Sequence, residues 1–269
     1  MGYGDDLMVT GEVKSLQQKY PNSKFIVGDG KQSFWSEIYE NNKAIIDSNQ
    51  IDEYKDIVWI KNYPNHRPYR VYDKKTHTIK YTWNNTFKAK KGEIFFTNQE
   101  LDFSKNIYSK IRKKISDKKM IYIEPNVKLN KGFLNRDWGF DKWQQVVNEL
   151  KDDYVFFQAS YGNKKNLKNV INLNNVNFRN SCALLAVTDL YCGAHGGLSH
   201  AAGALNKKAV VIFGGWINPS ITGYDFHKNF YIDDEKSPCG LKDECTHCQK
   251  CMELITVFDV KKEIIRLLS

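Results

Sequence analysis

Two adjacent carboxylates, Asp5 and Asp6, follow Gly4 at the start of the chain. A carboxylate on a glycine loop can take a proton from an attacking hydroxyl. Aspartate is equally at home at a helix N-terminus, and the residues alone leave both readings open. A second group is His195-Gly196-Gly197-Leu198-Ser199-His200, which follows a short apolar run. Glycine permits the sharp turn needed there. A helix opening near Leu198 would present unpaired N–H groups and the positive end of its dipole to a phosphate. Ala201, Ala202, Gly203 and Ala204 keep that helix thin enough to lie close to a sheet. An ordinary strand-to-helix turn would use glycines in the same way.

Arg136 precedes an amphipathic segment beginning at Phe140, where a guanidinium could clamp a phosphate or simply face solvent. Asn126 ends the run Ile123-Glu124-Pro125. His195 and His200 read as phosphate donors or as packed residues. Cys239, Cys245, Cys248 and Cys251 form C-x5-C-x2-C-x2-C with His247 inside it. That density suits zinc or an iron–sulfur ligand set, although it is too compressed for a zinc ribbon; a thiol-rich loop clasp, able to form disulfides, is the other reading. Cys182 and Cys192 read as buried and structural.

The elements that must position these groups alternate. Leu7 to Lys19 reads as a helix stopped by Tyr20-Pro21, Lys24 to Val27 as a strand, Ser33 to Glu40 as a helix and Asp56 to Ile60 as a strand. Tyr63 to Lys91 has no clear period, with a hairpin expected near Thr78 to Trp83; its Tyr, Trp, His and Arg content suits an acceptor groove or an idle surface loop. Phe103 to Ile115 is helical, and Ser116 to Lys119 reads as a boundary. Beyond it come strands at Met120 to Ile123, Val155 to Gln158, Val170 to Leu173, Leu190 to Cys192, Ala209 to Phe213 and Phe230 to Ile232. Helices are expected at Phe140 to Leu150, Phe178 to Thr188 and Val257 to Leu268. Such alternation predicts an α/β protein with parallel sheets.

A chain of 269 residues with 41% hydrophobic and 13% aromatic residues can bury one large or two modest cores. We expect two domains, 1–117 and 118–269, the second carrying a cysteine-rich loop at 239–251. No apolar run approaches the ~20 residues of a membrane span. With no leader-like N-terminus, the expectation is a cytoplasmic protein with reduced thiols. A net charge of +9 favours an anionic partner: nucleic acid, an acidic membrane surface or phosphorylated substrates. Its basic residues are scattered through Lys105–Lys119, Lys128–Lys131 and Lys164–Lys168 rather than gathered in one arm.

Taken together these residues resemble the heptosyltransferase family of glycosyltransferases. Gly4-Asp5, Leu7, Lys14-Ser15-Leu16 and Lys19-Tyr20-Pro21 look like its opening loop and first helix. Ile123-Glu124-Pro125-Asn126, Arg136-Asp137-Trp138 and Trp143 are similar to its strand, basic residue and following helix. Gly196-Gly197-Leu198-Ser199-His200-Ala201-Ala202 with Phe213-Gly214 resembles its nucleotide-sugar motif, and Cys248/Cys251-Met252 with Val260 its C-terminal cysteine segment. Where the family has Asp-Thr before the motif's glycine, this chain has His195 and Gly196, and Arg136 stands where a lysine is usual.

The resemblance implies a GT-B-like architecture, two Rossmann-like domains facing a cleft, with the N-terminal one reduced. It implies an inverting transfer of a sugar from a nucleoside-diphosphate donor to an acceptor hydroxyl, in cell-surface glycan or lipopolysaccharide synthesis. Asp5 would be the general base and Asp6 its substitute. Asn126, Arg136, His195, Gly196, Gly197, Leu198, Ser199 and His200 would hold the donor, with no metal in catalysis and zinc at the four cysteines as a separate matter. The acceptor would be a glycan or glycolipid, with peripheral contact to the inner membrane face and no nucleic acid. Two other readings remain: a basic nucleic-acid-binding protein with a cysteine metal module, and a glycosyltransferase-like subunit that binds without turnover.

Overall fold

In the computed structural model, residues 2–72, 79–115, 117–127, 134–160, 162 and 164–269 are described. Thr78, Ser116 and the Lys128–Lys131 run lie outside them.

The first half opens with helix α1 (Tyr3–Gln17), followed by strands β1 (Lys24–Val27) and β2 (Ile57–Ile60), which pair in parallel as a two-stranded sheet. The expected opening loop is therefore helical from Tyr3, and Asp5 and Asp6 stand in its first turn, where carboxylates suit the dipole. The helix expected at Ser33 to Glu40 is only a single 3-10 turn, Glu37–Tyr39. Its first residues are drawn into strand-like pairing instead, Phe34 N–H to the Val27 carbonyl and Ser33 opposite Gly28. The hairpin is also placed differently: β3 (Arg70–Val71) pairs antiparallel with β4 (Thr82–Trp83), so Trp83 faces Arg70. Helix α2 (Asn98–Arg112) starts five residues earlier than its apolar pattern suggests, because Thr97 and Glu100 close a capping box.

The second half is a sheet of six parallel strands, β5 (Met120–Glu124), β6 (Val155–Ser160), β7 (Ile171–Asn174), β8 (Leu190–Ala194), β9 (Lys208–Gly214) and β10 (Lys228–Tyr231). Their order is β10-β9-β8-β5-β6-β7. The direction of winding therefore reverses between β5 and β8, the Rossmann switch point, where a crevice opens at the strands' C-terminal ends. Helices α3 (Phe140–Leu150), α4 (Phe178–Ala186), α5 (Gly197–Ala204), α6 (Pro219–Thr222), α7 (Thr246–Leu254) and α8 (Val257–Leu268) complete it. The cysteine-rich segment is thus half helix rather than all loop.

Strand alternation divides the core. Ile121, Ile123, Phe156, Cys192, Val210 and Ile212 point to one face, packed with Trp143, Val147, Val260 and Ile264 of α3 and α8. Tyr122, Phe157, Tyr191, Val211 and Phe213 point to the other, and that cluster runs on without a break to Leu7, Val9 and Phe25. The halves are also riveted by Arg179 of α4, whose Nε and Nη2 donate to both Glu100 oxygens of α2 at 2.6 and 2.9 Å. No helix is long and apolar enough to cross a membrane among the described residues.

Candidate active site

Helix α5 begins at the end of β8 on the switch-point crevice, so its first-turn N–H groups have no intrahelical acceptor. Ser199 consumes one flanking amide: its Oγ accepts from Gly196 N–H at 3.0 Å and donates to the Gly196 carbonyl at 2.8 Å. That makes the Ser199 side chain a cap, and the Gly197, Leu198 and Ser199 amides form the first turn of the helix. The two glycines differ in their surroundings. A Cβ on Gly196 would meet nothing nearer than the Ala194 carbonyl at 4.0 Å, whereas one on Gly197 would sit 2.9 Å from the Phe178 ring.

The first turn of α1 lies directly against this turn. A Cβ on Gly4 would come 2.7 Å from the His200 ring and 3.3 Å from Gly197 Cα, and Tyr3 stacks on Phe178 with ring centroids 4.4 Å apart. Only a residue without a side chain permits the approach, and it delivers the next residue, Asp5, to the edge of the Gly197 turn. Asp5 Oδ1 accepts from the Tyr69 hydroxyl at 2.6 Å, and Oδ2 lies 3.6 Å from Arg67 Nη2. Its side chain is 23% exposed, against 1% for Asp6. Asp6 turns inward: Oδ2 accepts from Ser36 at 2.8 Å, and Oδ1 lies 3.7 Å from the same Arg67. Burial raises the Asp6 carboxyl to about 6, opposed by Ser36 and Arg67. The alternative base of the sequence reading is therefore walled off from any acceptor; its oxygens serve Ser36 and Arg67.

Across the crevice Arg136 ends a 3-10 turn, Leu134–Arg136, and is buried rather than solvent-facing. Its Nη1 donates to the His195 carbonyl at 3.2 Å, and its guanidinium lies 4.9 Å from the Trp216 ring centre. Burial lowers its pKa to about 10, so it remains a cation at neutral pH. His195 stacks on Phe213 at 4.3 Å, with Nε2 3.2 Å from the Thr222 hydroxyl. Its pKa is held well below the usual value, first by burial and then by His200 and Arg136. His200 Nδ1 lies 3.0 Å from the Tyr224 hydroxyl, and burial lowers its pKa to about 4. Both imidazoles are neutral at physiological pH and act as packed, hydrogen-bonded walls rather than cationic clamps. Asn126 is also occupied: its amide exchanges hydrogen bonds with the Lys165 backbone, Nδ2 to the carbonyl at 3.1 Å and Oδ1 from N–H at 3.2 Å. It pins the segment after β6 at the sheet's edge.

Tyr69, Arg67, Arg70, Tyr81, Trp83 and Trp216 were not individually legible in the sequence. Arg70 lies 4.2 Å from the Tyr81 ring centre, and Trp83 meets Trp216 edge-on at 5.0 Å, which joins the hairpin to the loop after β9. For the five in the first half the only signal was the aromatic and basic bias of the aperiodic Tyr63 to Lys91 stretch, and Trp216, in the loop after β9, gave none. Glu124, at the end of β5, is raised to about 7 by burial, with Asn126 and Lys164 opposing.

No protein-family model matches the chain, and no curated protein matches its sequence. Among solved structures, a glycosyl transferase family 9 protein from Veillonella parvula aligns over 100% of this chain and 95% of its own, with a TM-score of 0.69 and 15% identity. The E. coli ADP-heptose lipopolysaccharide heptosyltransferase II aligns over 99% and 96%, with a TM-score of 0.61 and 16% identity. The E. coli heptosyltransferase WaaC, solved with ADP, aligns over 99% and 95%, with a TM-score of 0.54 and 11% identity. At these identities the likeness is one of fold, and the fold is the GT-B-like one of the heptosyltransferases, with a reduced first half.

Proposed function

We propose that the protein is an inverting glycosyltransferase that moves a sugar from a nucleoside-diphosphate donor to a hydroxyl of a glycan or glycolipid acceptor, in cell-surface glycan or lipopolysaccharide synthesis. Residues 1–117 form the acceptor side and 118–269 the donor side. The observation that carries this reading is the Gly4–Gly197 approach, which sets a partly exposed carboxylate, Asp5, beside a helix N-terminus suited to a diphosphate.

In the reaction the acceptor oxygen attacks the anomeric carbon on the face opposite the diphosphate. The new C–O bond forms as the bond to the phosphate oxygen breaks, Asp5 takes the hydroxyl proton, and the electron pair leaves with the diphosphate. The growing negative charge falls to the Gly197, Leu198 and Ser199 amides and to Arg136, which can hold it without a divalent ion. Tyr69 and Arg67 orient the base. Arg70 and Tyr81 give the acceptor side an aromatic and cationic surface suited to a sugar ring bearing acidic groups, backed by the buried Trp83 and by Trp216 of the donor side.

ADP in the WaaC structure makes an ADP-sugar the first donor to test. Thermal shifts with ADP-, GDP-, UDP- and dTDP-sugars should show one nucleotide raising Tm, because a ligand that binds only the folded state stabilises it. A flat response to all four would overturn the proposal. With the responding donor, Asp5→Asn should bind but turn over far more slowly; turnover at the parent rate would remove Asp5 from the role of base.

A further inference from the structure

The cysteine cluster stands apart from the chemistry just described. Cys245 is the N-cap of α7, and Cys248 and Cys251 follow on the same helix. Cys239 arrives from the preceding loop, held by its N–H on the Gly215 carbonyl at 2.9 Å. Four side chains converge here: the sulfurs of Cys239, Cys245 and Cys248 and one ring nitrogen of His247 all lie within 4.8 Å of one another. Cys239 Sγ and Cys245 Sγ are 3.4 Å apart. In a tetrahedral zinc site with ~2.3 Å Zn–S bonds, neighbouring sulfurs stand about 3.8 Å apart, so the set matches one ion and is too tight for a multi-iron cluster.

Two further features belong to a metal site rather than to a thiol clasp. Nε2 of His247 lies 2.8 Å from both Asp234 oxygens, whereas its Nδ1 is buried with no hydrogen-bond partner among the described residues. A histidine gripped by a carboxylate through one nitrogen, with the other left bare, is oriented as metal ligands are. The backbone N–H groups of His247 and Cys248 also donate to the Cys245 sulfur. Such bonds at a C-x2-C helix start support a thiolate bound to metal. Cys251 is set aside from this group, its sulfur 3.4 Å from His247 Nε2 on the Asp234 side. The space is reserved: a Cβ on Gly215 would lie 2.6 Å from Cys251 Sγ and 3.2 Å from His247 Cε1. A cavity of about 480 Å³ bounded by Cys239, Cys245, His247, Lys80 and Glu235 gives the ion a way in.

We infer that Cys239, Cys245, Cys248 and His247 bind one zinc ion, with Asp234 orienting the histidine. Three soft thiolates and an imidazole in a closed tetrahedron select zinc over hard cations and leave no position for catalysis, so the ion is structural. What it holds is the loop behind the crevice. Asn135 Nδ2 donates to the Leu241 and Asp243 carbonyls, its Oδ1 accepts from Cys245 N–H, and Trp216 Nε1 donates to the Leu241 carbonyl. The same loop pairs with the first half through Tyr81 N–H on the Gly240 carbonyl at 2.7 Å.

The full chain, purified from zinc-supplemented culture without affinity metals, should carry about one zinc per chain by elemental analysis. Mercurial treatment should release it to a zinc-sensitive dye. Cobalt chloride added to the metal-depleted protein should give thiolate charge-transfer and tetrahedral d–d bands, which need no variant and so survive any failure of a mutant to fold. Cys245→Ser and His247→Ala should lose the metal, whereas Cys251→Ser should keep it. A wild-type protein with no zinc, no cobalt spectrum and either free thiols or a Cys239–Cys245 disulfide by mass spectrometry would overturn the site. Loss of zinc in Cys251→Ser with retention in His247→Ala would overturn the ligand set.

Discussion

The Tyr69 hydroxyl donates to Asp5 Oδ1 at 2.6 Å, a bond that joins residues 64 positions apart and fixes the carboxylate proposed as base. Arg67 approaches the other oxygen, so Asp5 is held from two sides while its side chain stays partly open to the crevice. Removing the carboxylate's charge with Asp5→Asn should lower kcat by about 10²–10⁴-fold, the usual contribution of a positioned general base. Tyr69→Phe removes one charge-assisted hydrogen bond, a change of ~1.5–3 kcal/mol, and should lower kcat roughly 10–100-fold with donor KM nearly unchanged. Steady-state kinetics separate the two cases. A Tyr69→Phe effect confined to KM would show that the tyrosine serves binding and not the orientation of the base.

Gly196 and Gly197 are neighbours in sequence with opposite tolerances. Gly196 has φ 177°, an extended backbone open to any residue, and free space around its missing Cβ. Gly197 faces the Phe178 ring at 2.9 Å, and that ring is itself stacked on Tyr3. Gly197→Ala should therefore destabilise the fold by ~1–3 kcal/mol through overpacking, a fall of about 2–4 °C in Tm for each kcal/mol. Gly196→Ala should leave Tm within a degree or so yet weaken donor binding, because its methyl group would project into the room left for the diphosphate. Calorimetric Tm and donor titration on the two variants check both halves. Equal donor affinity in Gly196→Ala and the parent would place the diphosphate elsewhere.

The ease with which the sequence could be read follows from how locally each element is determined. Helices α3 and α8 keep the bounds expected of them, Phe140–Leu150 and Val257–Leu268, since their apolar stripes at Trp143, Val147, Val260 and Ile264 are a property of spacing alone. The glycine turn before α5 was legible for the same reason. Ser33 to Glu40 misled because its helical composition loses to pairing with Val27 and Gly28, contacts that only the folded chain supplies. Asp6 looked equivalent to Asp5 in sequence, and only the position of Ser36 and Arg67 separates an inward carboxylate from an outward one. Arg67 and Tyr69 acquire meaning through Asp5 and Asp6 at the start of the chain, so an aperiodic stretch could announce its composition but not their roles.

Arg136 is tied to the His195-Gly196 turn by a direct bond, since its Nη1 donates to the His195 carbonyl. Held over Trp216 and buried, its guanidinium is oriented before any ligand arrives, so little conformational entropy opposes a phosphate contact. Arg136→Ala should weaken donor affinity by about 10–100-fold, as expected for loss of a charge-assisted bond of ~1.5–3 kcal/mol. Arg136→Lys should retain most of the affinity if charge is what the diphosphate reads, and little if the planar fork is needed. Isothermal titration with the donor nucleotide distinguishes these, with Tm measured alongside because the side chain also packs. Unchanged affinity in Arg136→Ala would confine the residue to supporting Trp216.

Glu124 gives the fold a dependence on pH whose sign can be worked out. Burial raises its carboxyl from an ordinary 4.5 to about 7 in the folded protein. Between those values the unfolded chain has released the proton while the native chain still holds it, so the native state binds more protons. Unfolding free energy must then fall as pH rises through the window and level off above it. Glu124→Gln cannot ionise and escapes that loss, while its amide oxygen can still accept from Asn126 N–H as Glu124 Oε1 does at 2.8 Å. Its Tm relative to the parent should climb from about pH 4.5 to 7 and stay constant at higher pH. The buried imidazoles of His195 and His200 titrate identically in both proteins, so they cancel in the difference. Parallel Tm curves for the two proteins across that range would mean that Glu124 is ionised in the native state at ordinary acidity, and that the end of β5 is wetter than its packing implies.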